Sequence, residues 1–181
     1  MSDKHLYIFT DGGAIKNAKN APGGSAVLIV NLPLLVSCRK FGTNNERELD
    51  ALRYALRAVV KNYEELCKHF NKHNVDVYSD SEYSINVITG KYKAKANQDL
   101  IKKCQYYLKE LQTKDIEITF NHVKAHTSKT DNKSFCNALV DKAANGAAVE
   151  LSKTGEEKTW SIVSLSKLDQ QRLREVLQSG F

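Results

Sequence analysis

Tyr7-Ile8-Phe9-Thr10-Asp11-Gly12-Gly13 is the stretch on which the fold turns. Leu6, Ile8 and Thr10 alternate with Tyr7, Phe9 and Asp11, so residues 5–11 read as a strand that delivers a carboxylate at its end. A segment rich in Gly, Asn and Pro, from Gly12 to Gly24, follows as a turn. Residues 25–30 and 35–41 then read as two strands joined around Asn31-Leu32-Pro33. An antiparallel hairpin beside the first strand is the economical arrangement.

Beyond residue 45 the period changes. Leu49, Leu52, Leu56, Val59, Val60 and Tyr63 recur at helical spacing, which predicts a long amphipathic helix capped by Asn44 or Asn45. Residues 75–80 read as a fourth strand. Helices are expected at 81–89 and 97–113, separated by the lysine-rich loop Gly90–Lys95. Residues 116–121 alternate as a fifth strand, and Leu139, Val140, Ala143, Ala144, Ala147 and Ala148 mark a last major helix. This order predicts an α/β fold, a mixed five-stranded sheet with helices on both faces.

One domain is expected over residues 1–150, with residues 151–181 as a C-terminal extension. The extension opens on a polar linker, 153–158, and carries a short helix from Ser166 to Gln178 capped by Ser166. Its apolar residues, among them Trp160, Leu173 and Val176, are expected to pack back on the domain; docking of a protein partner is the alternative.

The chain has 181 residues, 41% hydrophobic and 27% charged, with a formal net charge of +6. That is the composition of an ordinary globular protein, and no apolar run approaches the ~20 residues of a membrane span. No membrane partner is expected. The first strand begins almost at the N-terminus, so no signal or transit peptide is expected and the compartment should be cytosolic or nuclear. A monomer is the expected state. The four cysteines, Cys38, Cys67, Cys104 and Cys136, are far apart and lack zinc-site spacing, so they read as reduced thiols. The excess positive charge clusters at Lys91, Lys93, Lys95, Lys102 and Lys103, and again at Lys124, Lys129 and Lys133 around His126. Each cluster reads either as a solvated face or as a phosphate contact.

Four carboxylates carry the chemistry. Asp11 and Asp80 end predicted strands, Glu48 lies in the first turn of the long helix on its sheet-facing side, and Asp141 lies on the last helix. Taken singly, each has a plain structural reading: a turn residue, a helix-dipole Glu, a helix cap, a partner for Lys142. Together, at one sheet edge, they repel one another and call for hard cations, Mg²⁺ or Mn²⁺. Shared carboxylates could hold two ions about 3.5–4 Å apart, one activating a water and the other stabilising the leaving oxygen of an in-line displacement at phosphorus. His126, in the polar loop before the last helix, would suit proton transfer beside such a site.

These motifs resemble the type 1 ribonuclease H family over roughly residues 5–148. The resemblance rests on Phe9-Thr10-Asp11-Gly12-Gly13, Thr43-Asn44-Asn45-Glu46-Arg47-Glu48-Leu49, Tyr78-Ser79-Asp80-Ser81, Val123-Lys124-Ala125-His126 and Asn137-x-x-x-Asp141, in family order. It implies metal-dependent endonucleolytic cleavage of the RNA strand of an RNA/DNA hybrid, leaving 3′-hydroxyl and 5′-phosphate ends. The family's metal-binding acids map onto Asp11, Glu48, Asp80 and Asp141, and its loop histidine onto His126. Asn44 and Asn45 would meet the RNA 2′-hydroxyls, and Asn17 and Thr43 a phosphate of the DNA strand. The chain departs from the pattern at Glu82, where the family often has Gln. It also has a short Gly90–Lys95 loop, with Lys91 and Lys93, in place of a longer tryptophan-rich basic protrusion. A DNA nuclease of the same fold is one competing reading, and an inactive hybrid-binding module is another.

Overall fold

The first strand, β1 (Leu6–Ala14), is apolar on both faces, and that places it in the middle of the sheet. Leu6 and Ile8 enter one hydrophobic cluster and Phe9 the other, all three at most 2% exposed. The computed structural model describes residues 5–69, 74–125 and 130–181. β1 pairs antiparallel with β2 (Gly23–Ile29), which forms a hairpin with β3 (Leu34–Arg39). On its other side β1 runs parallel to β4 (Asn74–Ser79), and β5 (Glu117–His122) runs parallel beside β4.

The sheet has six strands, not the five expected. β6 (Lys158–Ile162) comes from the extension and pairs antiparallel with β3, giving the order β5-β4-β1-β2-β3-β6. Without it, β3 would present a row of unpaired backbone groups. Its inward residue, Trp160, stacks on Tyr54 at 4.1 Å between ring centroids, while Ile162 remains 75% exposed. Of the β6 residues only Lys158 falls in the polar linker expected over 153–158, and the sequence reading assigns no strand to 159–162.

One face carries α1 (Asn44–His69), α2 (Glu82–Ile88) and α3 (Gln98–Thr113). Leu49, Leu52 and Leu56 of α1 are fully buried against Ile8, Val27 and Val77. Each such side chain contributes about 1.5–3 kcal/mol of burial. The other face carries α4 (Asn132–Thr154) and α5 (Lys167–Ser179). Val140, Leu173 and Val176 close over Phe9, Leu28 and Leu35 there, and the terminal Phe181 packs on Tyr7, Phe9 and Tyr78. Leu173 and Val176 of the extension are therefore buried against the domain, with Trp160, Val163, Leu165, Leu177 and Phe181 partly so, while Ile162 and Leu168 stay exposed.

Several boundaries differ from expectation. Gly12 and Gly13 continue β1 rather than opening a turn, because β2 pairs with them through Ala14. The cap of α1 is Thr43, whose hydroxyl accepts from the Glu46 backbone N–H at 3.2 Å. Asn44 is diverted, its side-chain oxygen accepting from Ala14 N–H at 2.7 Å. Ser166 caps α5 as expected, accepting from Asp169 N–H at 3.0 Å. Among the described residues, Cys38, Cys104 and Cys136 are free and buried, their thiols pushed up to about 12 chiefly by burial. Among the described residues no helix is long and apolar enough to cross a membrane.

Candidate active site

The parallel ladder between β1 and β4 ends at Thr10 and Ser79, and an acid follows each of them, Asp11 and Asp80. Beyond that pair the strands part. β1 continues to Ala14 beside β2, while β4 turns off into α2. A cleft of about 600 Å³ opens where they separate, at the carboxyl ends of parallel strands where open α/β sheets place their ligands. Ser81, not Asp80, caps α2 by accepting from Ser84 N–H at 3.2 Å, so Asp80 is not spent on the helix end.

Two glycines bring the helices to this cleft. A Cβ on Gly12 would lie 2.3 Å from the Arg47 carbonyl and 2.5 Å from the Glu48 nitrogen, so only glycine lets the first turn of α1 rest on β1. Ser25 fastens the same turn, its hydroxyl donating to the Arg47 carbonyl at 2.7 Å. On the opposite face a Cβ on Gly24 would lie 2.1 Å from the Ala144 carbonyl oxygen. That contact seats α4 against β2 and brings Asp141 to line the cleft.

Carboxylate oxygens of Asp11, Glu48 and Asp80 lie within 4.8 Å of one another. Asp11 and Glu48 are only 5% and 8% exposed. Burial, reinforced by the charges of Asp80 and Asp141, pushes the Asp11 carboxyl up to about 8. Burial, then the charges of Asp11 and Asp80, holds Glu48 well above the usual carboxylate range. One Asp11 oxygen accepts from the Gly12 N–H at 2.9 Å, but the buried Glu48 Oε2 has no hydrogen-bond partner. An orphaned carboxylate oxygen among converging acids is costly unless a cation meets it. The donor set, oxygen only, suits a hard divalent ion.

The expected substrate residues are placed unevenly. Asn44 and Asn45 line the cleft beside Glu48. Asn17 sits behind them, its side-chain oxygen accepting from the Asn44 backbone N–H at 2.9 Å. Thr43 is engaged as the helix cap and its hydroxyl lies 3.4 Å from the Glu46 carboxylate. Glu82 is exposed in the first turn of α2, and Lys91 and Lys93 are exposed between α2 and α3; none of the three lines the cleft. His126 lies outside the described residues. Asn145 also lines the cleft; its position four residues after Asp141 is the helical-face signal that could have found it. The roles of Gly12 and Gly24 in seating α1 and α4 carry no such signal.

A family model described as RNase H matches residues 3–148. The chain belongs to the ribonuclease H family. A probable ribonuclease H of Acanthamoeba polyphaga mimivirus is 32% identical over 114 residues, 59% of this chain and 48% of the viral protein. The chain thus spans about half the length of that relative. The ribonuclease H of Prosthecochloris aestuarii is 30% identical over 155 residues, 77% of this chain and 95% of that protein. Among solved structures, LC11-RNase H1 in complex with an RNA/DNA hybrid has the same fold, with a TM-score of 0.60. It is 24% identical, over 81% of this chain and 99% of that one. The family match stops short of β6 and α5, which are this chain's additions to the matched region.

Proposed function

We propose that this chain hydrolyses the RNA strand of RNA/DNA hybrids with the help of divalent cations held by Asp11, Glu48, Asp80 and Asp141. The observation that carries the reading is the trio of carboxylates within 4.8 Å, with the buried Glu48 Oε2 left unpartnered. Membership of the ribonuclease H family and the hybrid bound by the LC11 enzyme supply the substrate class.

Two Mg²⁺ ions, or Mn²⁺, would supply charge neutralisation at phosphorus and a nucleophilic water at neutral pH. The chain's own groups do the rest. Gly12 N–H orients Asp11, and the close of the parallel β1–β4 ladder at Thr10 and Ser79 sets Asp11 and Asp80 beside one another. Asn44 and Asn45, at the cleft wall, offer amide donors and acceptors to 2′-hydroxyls, the group that distinguishes RNA from DNA. Asn17 and Thr43 stand behind them toward a DNA-strand phosphate, with Glu82, Lys91 and Lys93 at the outer rim of the footprint. His126 takes the proton-transfer role; its chain neighbour Ala125 lines the cleft. In-line displacement of the 3′-oxygen leaves 3′-hydroxyl and 5′-phosphate ends.

The test is cleavage of an end-labelled hybrid in Mg²⁺, beside single-stranded RNA, duplex RNA and duplex DNA of the same sequence. Cutting confined to the hybrid, lost in EDTA and in Asp11→Asn, is expected. Cutting of duplex DNA at an equal rate would convert the reading to a DNA nuclease. Hybrid binding without cutting, in either Mg²⁺ or Mn²⁺, would leave a binding module.

A further inference from the structure

A second cleft, of about 460 Å³, lies where β3, β6, α1 and α3 meet. Five cationic side chains line it: Arg39, Lys40, Arg53, Lys103 and Lys158. The two acids there do not cancel them. Asp50 is buried and committed, with Arg53 Nε at 2.7 Å and Arg47 Nη1 at 3.4 Å. Glu157 stands alone against Arg39, Lys40, Lys103 and Lys158. Arg39 is held in place by donating from Nε to the Glu156 carbonyl at 2.8 Å. Among the described residues, Lys40, Lys103 and Lys158 have no ion-pair partner. Separate surface lysines would simply be solvated. Here they converge on one concavity walled by Trp160, itself fixed against Tyr54.

The register ties this cleft to the acidic one. Gly13 pairs with Gly24, Gly24 with Arg39, and Arg39 with Lys158, so one row of the sheet runs from the catalytic edge of β1 to β6. Three strand spacings make about 14 Å, roughly four nucleotides of rise along one strand. Lys40 is joined to Thr43 and Asn44 by only Phe41 and Gly42.

We infer that this cleft is a second phosphate-binding site, which grips the sugar–phosphate backbone of the hybrid's flank about four nucleotides from the scissile bond. The inference rests on the hybrid reading above and extends its footprint. Lys158 and Trp160 lie beyond the residues matched by the family, so the site belongs to this chain's own C-terminal strand. A lining in which cations outnumber the one exposed carboxylate, Glu157, and which holds no side-chain amide, makes it a contact that fixes position without sequence preference.

The test compares the full chain with Lys103→Gln/Lys158→Gln and with a charge-matched control, Lys61→Gln/Lys68→Gln, on the far half of α1. Binding to hybrids of about 8 and about 20 base pairs is measured over a series of salt concentrations. Each phosphate contact contributes a slope of about −0.9 in log K against log salt. On the long hybrid the cleft variant should bind roughly 10-fold more weakly, with a slope shallower by about 2. The control should change binding less than about twofold, and the short hybrid should lose much less than the long one. The chain has one tryptophan, so its emission reports occupancy of the cleft directly: the long hybrid should quench or shift it. Equal losses in the cleft and control variants, equal losses on both lengths, or an unmoved Trp160 emission would each overturn the inference. Failure of the unmodified protein to prefer hybrid over duplex DNA would instead overturn the reading on which it rests.

Discussion

Gly12 lies directly beneath Glu48, so close that a Cβ on the glycine would stand 2.5 Å from the glutamate's backbone nitrogen. Glu48 on α1 reaches Asp11 because β1 has no side chain at the next position. Gly12→Ala must lift the helix, and overpacking of this kind costs about 1–3 kcal/mol. The displacement also separates Glu48 from Asp11, so Mg²⁺ affinity should fall along with stability. Gly146, on the solvent side of α4 with nothing within 4 Å of its would-be Cβ, is the contrast. Gly146→Ala should stabilise by about 0.5–1 kcal/mol through helix propensity. Urea unfolding and Mg²⁺ titration of both variants check the pair; a stable Gly12→Ala with ordinary metal binding would contradict the packing argument.

The metal-free protein should lose stability as pH rises. Asp11 keeps its proton up to about 8 in the folded chain, against 3.8 for an ordinary aspartate. Between those values the unfolded chain is ionised and the folded one holds a proton, so the folded state binds more protons. Stability therefore falls through that window, by up to about 1.4 kcal/mol per pH unit for one retained proton. A divalent ion displaces the proton, so its stabilising effect should grow toward the upper end. Melting temperatures in EDTA and in Mg²⁺ across the window measure this directly. Asp11→Asn should flatten the EDTA curve relative to the unmodified protein. Parallel curves for the two would show that Asp11 does not titrate as described.

Much of this site was legible before the fold was. Asp11 and Asp80 are readable because each follows a run of strand alternation and parallel neighbours bring such positions side by side, although β1 itself runs on past Asp11 to Ala14. Glu48 is readable from helical phase, and Asp141 through the Asn137-x-x-x-Asp141 motif on the last helix. What stayed hidden depends on contacts between distant segments. Gly12 and Gly24 look like turn residues until α1 and α4 are laid upon them. Thr43 caps α1 in place of Asn44 because Ala14, thirty residues earlier, claims the asparagine. β6 exists because β3 has an edge to cover and Tyr54 offers Trp160 a ring to stack on. None of these partners is adjacent in sequence, and local propensity carries no record of them.

Glu48→Gln should separate stability from activity. Its carboxylate is buried, faces Asp11 and Asp80, and leaves Oε2 unpartnered. A neutral amide of the same shape removes the repulsion and the desolvation of charge, which should raise metal-free stability by on the order of 1 kcal/mol. On the proposed reading it also removes a cation ligand, so hybrid cleavage should drop about 100-fold or more. Thermal melting in EDTA and cleavage in Mg²⁺ on the same preparation test both halves. A variant that is less stable without metal would mean that Glu48 is paired in a way the orphaned oxygen does not suggest.

The C-terminal helix should prove to be part of the fold rather than a tether. Leu173 is fully buried in the cluster that holds Phe9, Leu28 and Val140, while Leu168, five residues earlier on α5, is 80% exposed. The end of α5 also grips the start of α4. Asn132 Nδ2 donates to Ser179 Oγ at 2.8 Å and to the Gly180 carbonyl at 2.7 Å, and Arg172 Nη2 donates to Asn132 Oδ1 at 3.2 Å. Leu173→Ala should therefore cost about 2–5 kcal/mol, as for other large-to-small core changes. Leu168→Ala should stay within about 0.5 kcal/mol. The difference appears as a shift of the urea midpoint at unchanged slope. Because α4 carries Asp141, Leu173→Ala should also weaken Mg²⁺ binding at temperatures where the protein remains folded. Equal midpoints for the two leucine variants would mean that α5 leaves the sheet in solution, and with it the seat of Asp141.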